Sequence, residues 1–288
     1  MGVFMTDDTT DELGKCALCG PEKEGLQLLR KSHHLTKATY RYLNRSKAEG
    51  TKILLRSQEN EKVFSLGRQI FQCLLCDDCE LIMSSEGEEY FASAAMKIDE
   101  KNSQPSHVFR VLLKSLVSNW NRLAPHPAYG RNLVFSVGGN FLPTIDTRQI
   151  YHYAVGFFWK ATFEGWSHCP PMVLDSELIE QMRKFLLGGD FLPGYIVRVV
   201  PSFWREKYAV VLPSLVQGQP FFSVLQFDFY LEKAERQYGS AIAMEAVPLL
   251  YTVDPIRSER SYRGTVANYR KAQPSKSTVG TELSWLEQ

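Results

Sequence analysis

Short runs of hydrophobic and polar residues along the first hundred positions predict small secondary-structure elements. Residues 26–45 carry apolar positions at helical spacing after Leu35, which predicts a short helix there. Two apolar runs, 51–56 and 61–64, flank a polar stretch and predict a β-hairpin. An acidic pair beginning at Asp77 suits the first turn of a further helix, whose positive dipole end favours anions.

Longer apolar patterns follow. They predict a helix over 107–123, a turn at residues 138–139, a helix capped by Asp146 over 147–166, and a helix capped by Ser176 that ends at the glycine pair 188–189. Four later runs predict the strands of an antiparallel meander: residues 194–201, 207–216, 221–231 and 242–253.

These patterns predict an α+β protein of two parts and a tail. We expect a first module over residues 1–98, which carries the cysteines discussed next, then a domain of helices and antiparallel sheet over residues 99–260, and a flexible tail rich in small and basic residues over 261–288. A chain of 288 residues that is 44% hydrophobic has enough apolar material for one large or two modest cores.

Two closely spaced cysteine pairs, Cys16 with Cys19 and Cys76 with Cys79, are the strongest chemical signal. Each pair encloses two residues, so both thiolates can reach one metal ion at the Zn–S distance of about 2.3 Å. Four such ligands complete a closed structural zinc site. Redox or disulfide chemistry is the alternative interpretation, although six cysteines in 288 residues do not make a disulfide framework. Thiolate metal ligands and further free cysteines are typical of a reducing cytoplasm, where we expect the protein.

Charge narrows the choice of partners. The net charge is +1, so no global basic field indicates nucleic-acid binding, and no apolar run approaches the length of a membrane-spanning helix. One region is locally basic: seven cations lie between positions 30 and 52 against a single acid, interleaved with tyrosines. From this region we predict phosphate contacts by Lys37, Arg41 and Arg45. A solvated helix face is the alternative.

The order of these motifs resembles that of HNH endonucleases of the four-cysteine type. The shared order is a CxxC pair, a histidine after a short strand (His33), and a Leu-Leu-Cys-x-x-Cys segment that opens a helix, over residues 16–95. The resemblance implies a treble-clef zinc finger with a ββα-metal site. It also implies nuclease activity in bacterial phage defence or mobile elements.

The same family implies roles for individual residues. His33 matches the histidine that activates water, and Glu80 stands where the family has a metal-binding histidine, so that Glu80 would help to hold Mg²⁺ or Mn²⁺. Ser32 stands where the family has a metal-binding aspartate. An asparagine that orients the base is missing, and Gln69 or Gln72 is its candidate substitute.

Purely structural interpretations are possible for the same residues. His33 and His34 can be structural, Glu80 can be a solvated first-turn acid, and the glutamates at positions 86, 88 and 89 are typical of the wet face of a helix. Three functions therefore stay open: a metal-dependent nuclease, a non-catalytic zinc module that recognises nucleic acid or a protein, and a C-terminal domain that senses a ligand and controls the zinc module.

Overall fold

A computed structural model describes residues 12–46, 53–56, 63–66, 69–96, 125–126, 130–134, 145–167, 169–201, 210–225, 227–233 and 249–253. The strands are β1 (Glu12–Gly14), β2 (Gln27–His33), β3 (Ile53–Arg56), β4 (Val63–Leu66), β5 (Phe71–Cys76), β6 (Pro125–His126), β7 (Gly130–Val134), β8 (Tyr195–Pro201), β9 (Val210–Val216), β10 (Gln219–Val224), β11 (Phe227–Lys233) and β12 (Leu249–Val253). The helices are α1 (Lys37–Ser46), α2 (Asp77–Met83), α3 (Glu89–Ala94), α4 (Thr147–Lys160) and α5 (Ser176–Leu186), and a π-helical turn (Ser84–Glu88) joins α2 to α3.

Helices and mostly antiparallel sheets share the chain, which confirms the α+β class. Near the N-terminus, β1, β2 and β5 form a three-stranded sheet in that order, and α2 begins directly where β5 ends. The predicted helix after Leu35 is α1, and the predicted hairpin is the antiparallel pair of β3 and β4.

A seven-stranded sheet with the order β6-β7-β12-β8-β11-β10-β9 is built from strands that lie after residue 124. Two strand predictions were wrong. The run 221–231 is two strands, β10 and β11, because the chain reverses at Leu225, whose φ of 53° is left-handed. The strands do not form a simple meander either: β11 returns to pair with β8, and β12 lies parallel to β8 on its other side.

Helix ends follow local side-chain chemistry. Asp146 caps α4 as predicted, since its carboxylate accepts a hydrogen bond from the Gln149 amide, but α4 ends at Lys160 rather than continuing to residue 166. The cap of α5 is Asp175 and not Ser176, because the Asp175 carboxylate accepts from the Glu177 amide at 2.8 Å. The predicted helix 107–123, the turn at 138–139 and the tail 261–288 lie outside the described residues.

Helix α4 is the centre of the core. Nearly all its side chains are buried, in keeping with its all-round apolar sequence. One hydrophobic cluster contains residues of the N-terminal sheet, α2, α3, α4, α5 and the inner face of the large sheet. For example, the Phe91 ring on α3 stacks on the Tyr153 ring of α4 at 4.0 Å between centroids. The described residues on both sides of the predicted boundary at residue 98 therefore share a core, and the boundary itself remains a prediction.

Candidate functional site

The four predicted metal-ligand cysteines converge. All four are buried, and their Sγ atoms lie within 4.8 Å of one another. Cys16 and Cys19 sit on a tight turn that the Gly20 amide closes by donating to the Cys16 carbonyl at 2.8 Å. Cys76 is the residue that caps α2, and Cys79 falls in its first turn. The first pair thus comes from a loop and the second from the start of a helix, and their sulfur atoms meet at one point.

Hydrogen bonding within this cluster favours the thiolate form of Cys16. A hydrogen bond with Cys79 lowers the pKa of the Cys16 thiol to about 4, and the same hydrogen bond together with burial raises the pKa of Cys79. The Cys76 amide also donates to the Cys16 sulfur at 3.4 Å. Four buried sulfurs at this spacing form a donor set that suits a tetrahedral metal ion such as zinc.

Helix α5 holds the first cysteine pair in place through Arg183. The Arg183 guanidinium, only 8% exposed, donates to the Leu18 carbonyl between the two cysteines at 2.8 Å. It also donates to Glu22 at 2.9 Å and to Glu180 on its own helix at 2.7 Å. The cysteine loop is therefore attached to the second half of the chain by a buried cation.

Beside the cysteines, a β-bulge turns the end of β2. The pairing of β2 with β5 shifts between Arg30 and Lys31, and Ser32 then lies fully buried. Its hydroxyl donates to the Glu80 carboxylate on α2 through a very short hydrogen bond. Ser32 and Glu80, two of the positions at which the chain departs from the motif it resembles, are therefore in direct contact.

A second carboxylate reaches this region from the π-helical turn. Gly87 allows the turn to lie on α4, since an added Cβ would come within 2.6 Å of the Tyr153 backbone nitrogen. The next residue, Glu88, accepts a hydrogen bond from the Lys160 ammonium at 2.7 Å. The prediction of a wet helix face was wrong for Glu88, whose partner comes from α4, whereas Glu86 and Glu89 are exposed as predicted.

Lys160 connects the two carboxylates with His33. Its ammonium lies 3.5 Å from the His33 carbonyl oxygen and is 4% exposed. Burial alone lowers the pKa of Lys160, but Glu88 and Glu80 raise it above its ordinary value. Burial raises the pKa of Glu80, although Lys160 and the Ser32 hydroxyl act in the opposite sense.

The His33 side chain is half-buried and mainly neutral. Burial and then the nearby Lys37 ammonium lower the pKa of its imidazole. The Gln69 side chain acts on this pKa in the opposite direction. Gln72 points towards Gly165, where an added Cβ would meet its side-chain oxygen.

His34, for which a structural role was considered above, lies in the core. It is 2% exposed, and its ring packs edge-on against Trp166 at 4.7 Å and Phe157 at 5.5 Å between centroids. Burial lowers the pKa of His34 to about 3. His34 is a core histidine, and the Lys160 charge lowers its pKa further in the same direction as burial.

Two of the predicted phosphate-binding residues lie on one side of α1. Lys37 and Arg41 are four residues apart, which places their Cβ atoms on one basic stripe of the helix, and Arg45 belongs to the last turn of the same helix. Lys37 and Arg41 are exposed. The hydroxyl of Tyr40 accepts a hydrogen bond from the Ile70 amide at 2.7 Å, which fixes α1 against the start of β5.

Among the described residues, the four cysteines are the one group of three or more side chains that could hold a metal ion. Around Glu80, where an Mg²⁺ or Mn²⁺ site was expected, the described residues contain no group of three such ligands. No helix within the described ranges combines the length and apolar character needed to cross a membrane.

Sequence reasoning missed Lys160 and Arg183. Both are basic residues in strongly apolar or amphipathic helices, which is a signal of a buried cation with a partner. Apart from Glu180 on its own helix, however, the carboxylate partner of Arg183 lies 161 positions away, and that of Lys160 lies 72 positions away. No protein-family model, curated protein or solved structure matches this chain.

Proposed function

We propose that the chain is a zinc-stabilised, HNH-like protein that binds nucleic acid and acts on its phosphate backbone at the site around His33 and Glu80. A cysteine loop, the antiparallel strands β2 and β5, and a helix that carries the second cysteine pair follow in the order of a treble clef. That order supports the assignment of a structural zinc finger. A bound zinc ion would be held by the four thiolates and would contribute folding free energy on the order of 10 kcal/mol.

The observation that carries the proposal is the position of Lys37. It begins α1, it is exposed, and its charge acts on both His33 and Glu80. The basic stripe of α1 is therefore continuous with the polar cluster. A phosphate backbone that follows Lys37 and Arg41 would come against His33.

The chemistry of the cluster suits a phosphodiester. The imidazole of His33 has a lowered pKa and is neutral at physiological pH, so it can accept a proton from water. In the resembled family an aspartate stands at the strand position of Ser32. Here Glu80 brings its carboxylate to that position through the hydrogen bond with the Ser32 hydroxyl. These two features support the nuclease form of the proposal.

Binding is tested by fluorescence anisotropy with labelled single- and double-stranded oligonucleotides over a salt series. We expect the double variant Lys37→Ala/Arg41→Ala to bind more weakly and to reduce the magnitude of the salt slope by about 1 to 2. Lys184→Ala, at an exposed position of α5, is the matched control and should leave both quantities unchanged. Equal affinity and slope in all three proteins would contradict the proposal.

A non-catalytic recognition module is the second candidate. The ion pair between Lys160 and Glu88 favours it, because this carboxylate is already engaged. Plasmid nicking with and without Mg²⁺ or Mn²⁺, run beside His33→Ala, separates the two candidates. Cleavage that His33→Ala abolishes supports the nuclease, and binding without cleavage supports the recognition module.

A further inference from the structure

Lys160 brings a buried positive charge into the site from the second half of the chain. It is the last residue of α4, where the helix dipole places partial negative charge, so an ammonium is favoured there. Its Nζ contacts Glu88 at 2.7 Å and the His33 carbonyl at 3.5 Å. Its charge also acts on Glu80, the carboxylate of α2 that accepts a hydrogen bond from the Ser32 hydroxyl.

The acidic and basic side chains of this cluster are equal in number without a metal ion. They are the two carboxylic side chains Glu80 and Glu88 and the two lysines Lys160 and Lys37. A divalent cation placed at the two carboxylates would leave the cluster with a net charge of about +2, close to an ammonium that is almost completely shielded from water. Two structural features set this arrangement: Gly87 lets the π-helical turn lie on α4, and the turn aims Glu88 at Lys160.

We propose that the Lys160 ammonium is the resident cation of the Glu80–Glu88 carboxylate pair and supplies the positive charge that a divalent metal ion would otherwise supply. This inference rests on the proposed function, because Lys160 would be a positioning residue of the phosphate-binding site proposed there. It makes the interaction of the site with phosphate independent of Mg²⁺ and Mn²⁺. The zinc ion at the cysteines then remains structural.

The experiment titrates Mn²⁺ into the zinc-loaded full chain and follows free Mn²⁺ by electron paramagnetic resonance. We expect no Mn²⁺ site in the wild type up to about 1 mM, the weak end of protein sites for divalent cations. Lys160→Met, which keeps the apolar stem and removes the charge, should gain a site that the further change Glu80→Gln abolishes. Lys184→Met is the control and should behave as the wild type. A wild-type Mn²⁺ site that Glu80→Gln removes would overturn the proposal.

A second measurement needs no stable Lys160 variant. In lysine side-chain NMR of the wild type at neutral pH, a buried, ion-paired ammonium gives a resonance protected from solvent exchange. We expect one such resonance, and we expect Glu88→Gln to shift or broaden it. Complete absence of a protected ammonium in the wild type would contradict the proposal. Neither measurement uses nucleic acid, so its failure is distinguishable from a failure of the anisotropy experiment.

Discussion

Replacing Arg183 by methionine removes the side chain that attaches the first cysteine loop to helix α5. Methionine retains the unbranched apolar stem, so the change mainly deletes the guanidinium. The Leu18 carbonyl then loses its 2.8 Å donor inside a loop whose Leu18 is 0% exposed. Glu22 and Glu180 lose their ion-pair partner at the same time.

The expected cost follows from these contacts. A buried acceptor left without its donor costs about 1–3 kcal/mol. The two ion pairs involve carboxylates that are 57% and 45% exposed, so each adds only about 0.2–1 kcal/mol. The sum predicts a loss of about 1.4–5 kcal/mol in the free energy of unfolding. The cysteine loop should also release its metal faster, because one of its anchors is gone.

Urea denaturation followed by circular dichroism measures the first effect, and chelator-driven zinc release measures the second. The control is Lys184→Met on the same helix: its ammonium is 66% exposed and lies 3.9 Å from Glu180. We expect this control to change stability by less than about 0.5 kcal/mol. Equal stability and equal zinc release in the two variants would refute the reasoning.

Three further predictions address packing, metal and pH. Gly87→Ala should destabilise the protein by about 1–3 kcal/mol in a urea melt, because the new Cβ meets the α4 backbone, whereas the exposed Ser85→Ala should not. Elemental analysis should find one zinc per chain in the wild type, and Cys76→Ser should lose the zinc and unfold residues 16–95; a folded, zinc-free wild type would contradict this. Burial lowers the pKa of His34 to about 3 and of His152 to about 4, so below the ordinary value of 6.5 the unfolded state binds protons that the folded state does not. Above pH 6.5 these two histidines should therefore leave the free energy of unfolding unchanged. Below pH 6.5 the free energy of unfolding should fall by up to about 1.4 kcal/mol per pH unit for each histidine, and His152→Gln should reduce this slope.

Local chemistry made part of the fold predictable. The cysteine spacing identified all four members of the sulfur cluster, and Asp146 was recognised as a cap because a carboxylate before a helix satisfies free amides. Strand order was not predictable in the same way, because pairing between β8 and β12 depends on contacts distant in sequence. The reversal at Leu225 was missed, since leucine is an unusual residue at a positive φ.

The site shows the same division. His33 and Glu80 were predicted as site residues from the resemblance to the HNH motif, and in the structure the charge of one lysine acts on both. That lysine could not be found from sequence, because Lys160 lies in an apolar helix 72 positions after Glu88. The tight packing at Gly87 that joins them is a property of two helix surfaces and not of either sequence segment.

The central claim is that nucleic acid binds along α1 with its phosphate at His33. Photo-cross-linking of uridine-analogue oligonucleotides to the zinc-loaded protein, followed by peptide mass spectrometry, tests this claim directly. The account predicts cross-links concentrated in the peptides that span residues 30–45 and their loss in Lys37→Ala/Arg41→Ala. Cross-links confined to strands β8–β11, or none above an unrelated control protein, would contradict it.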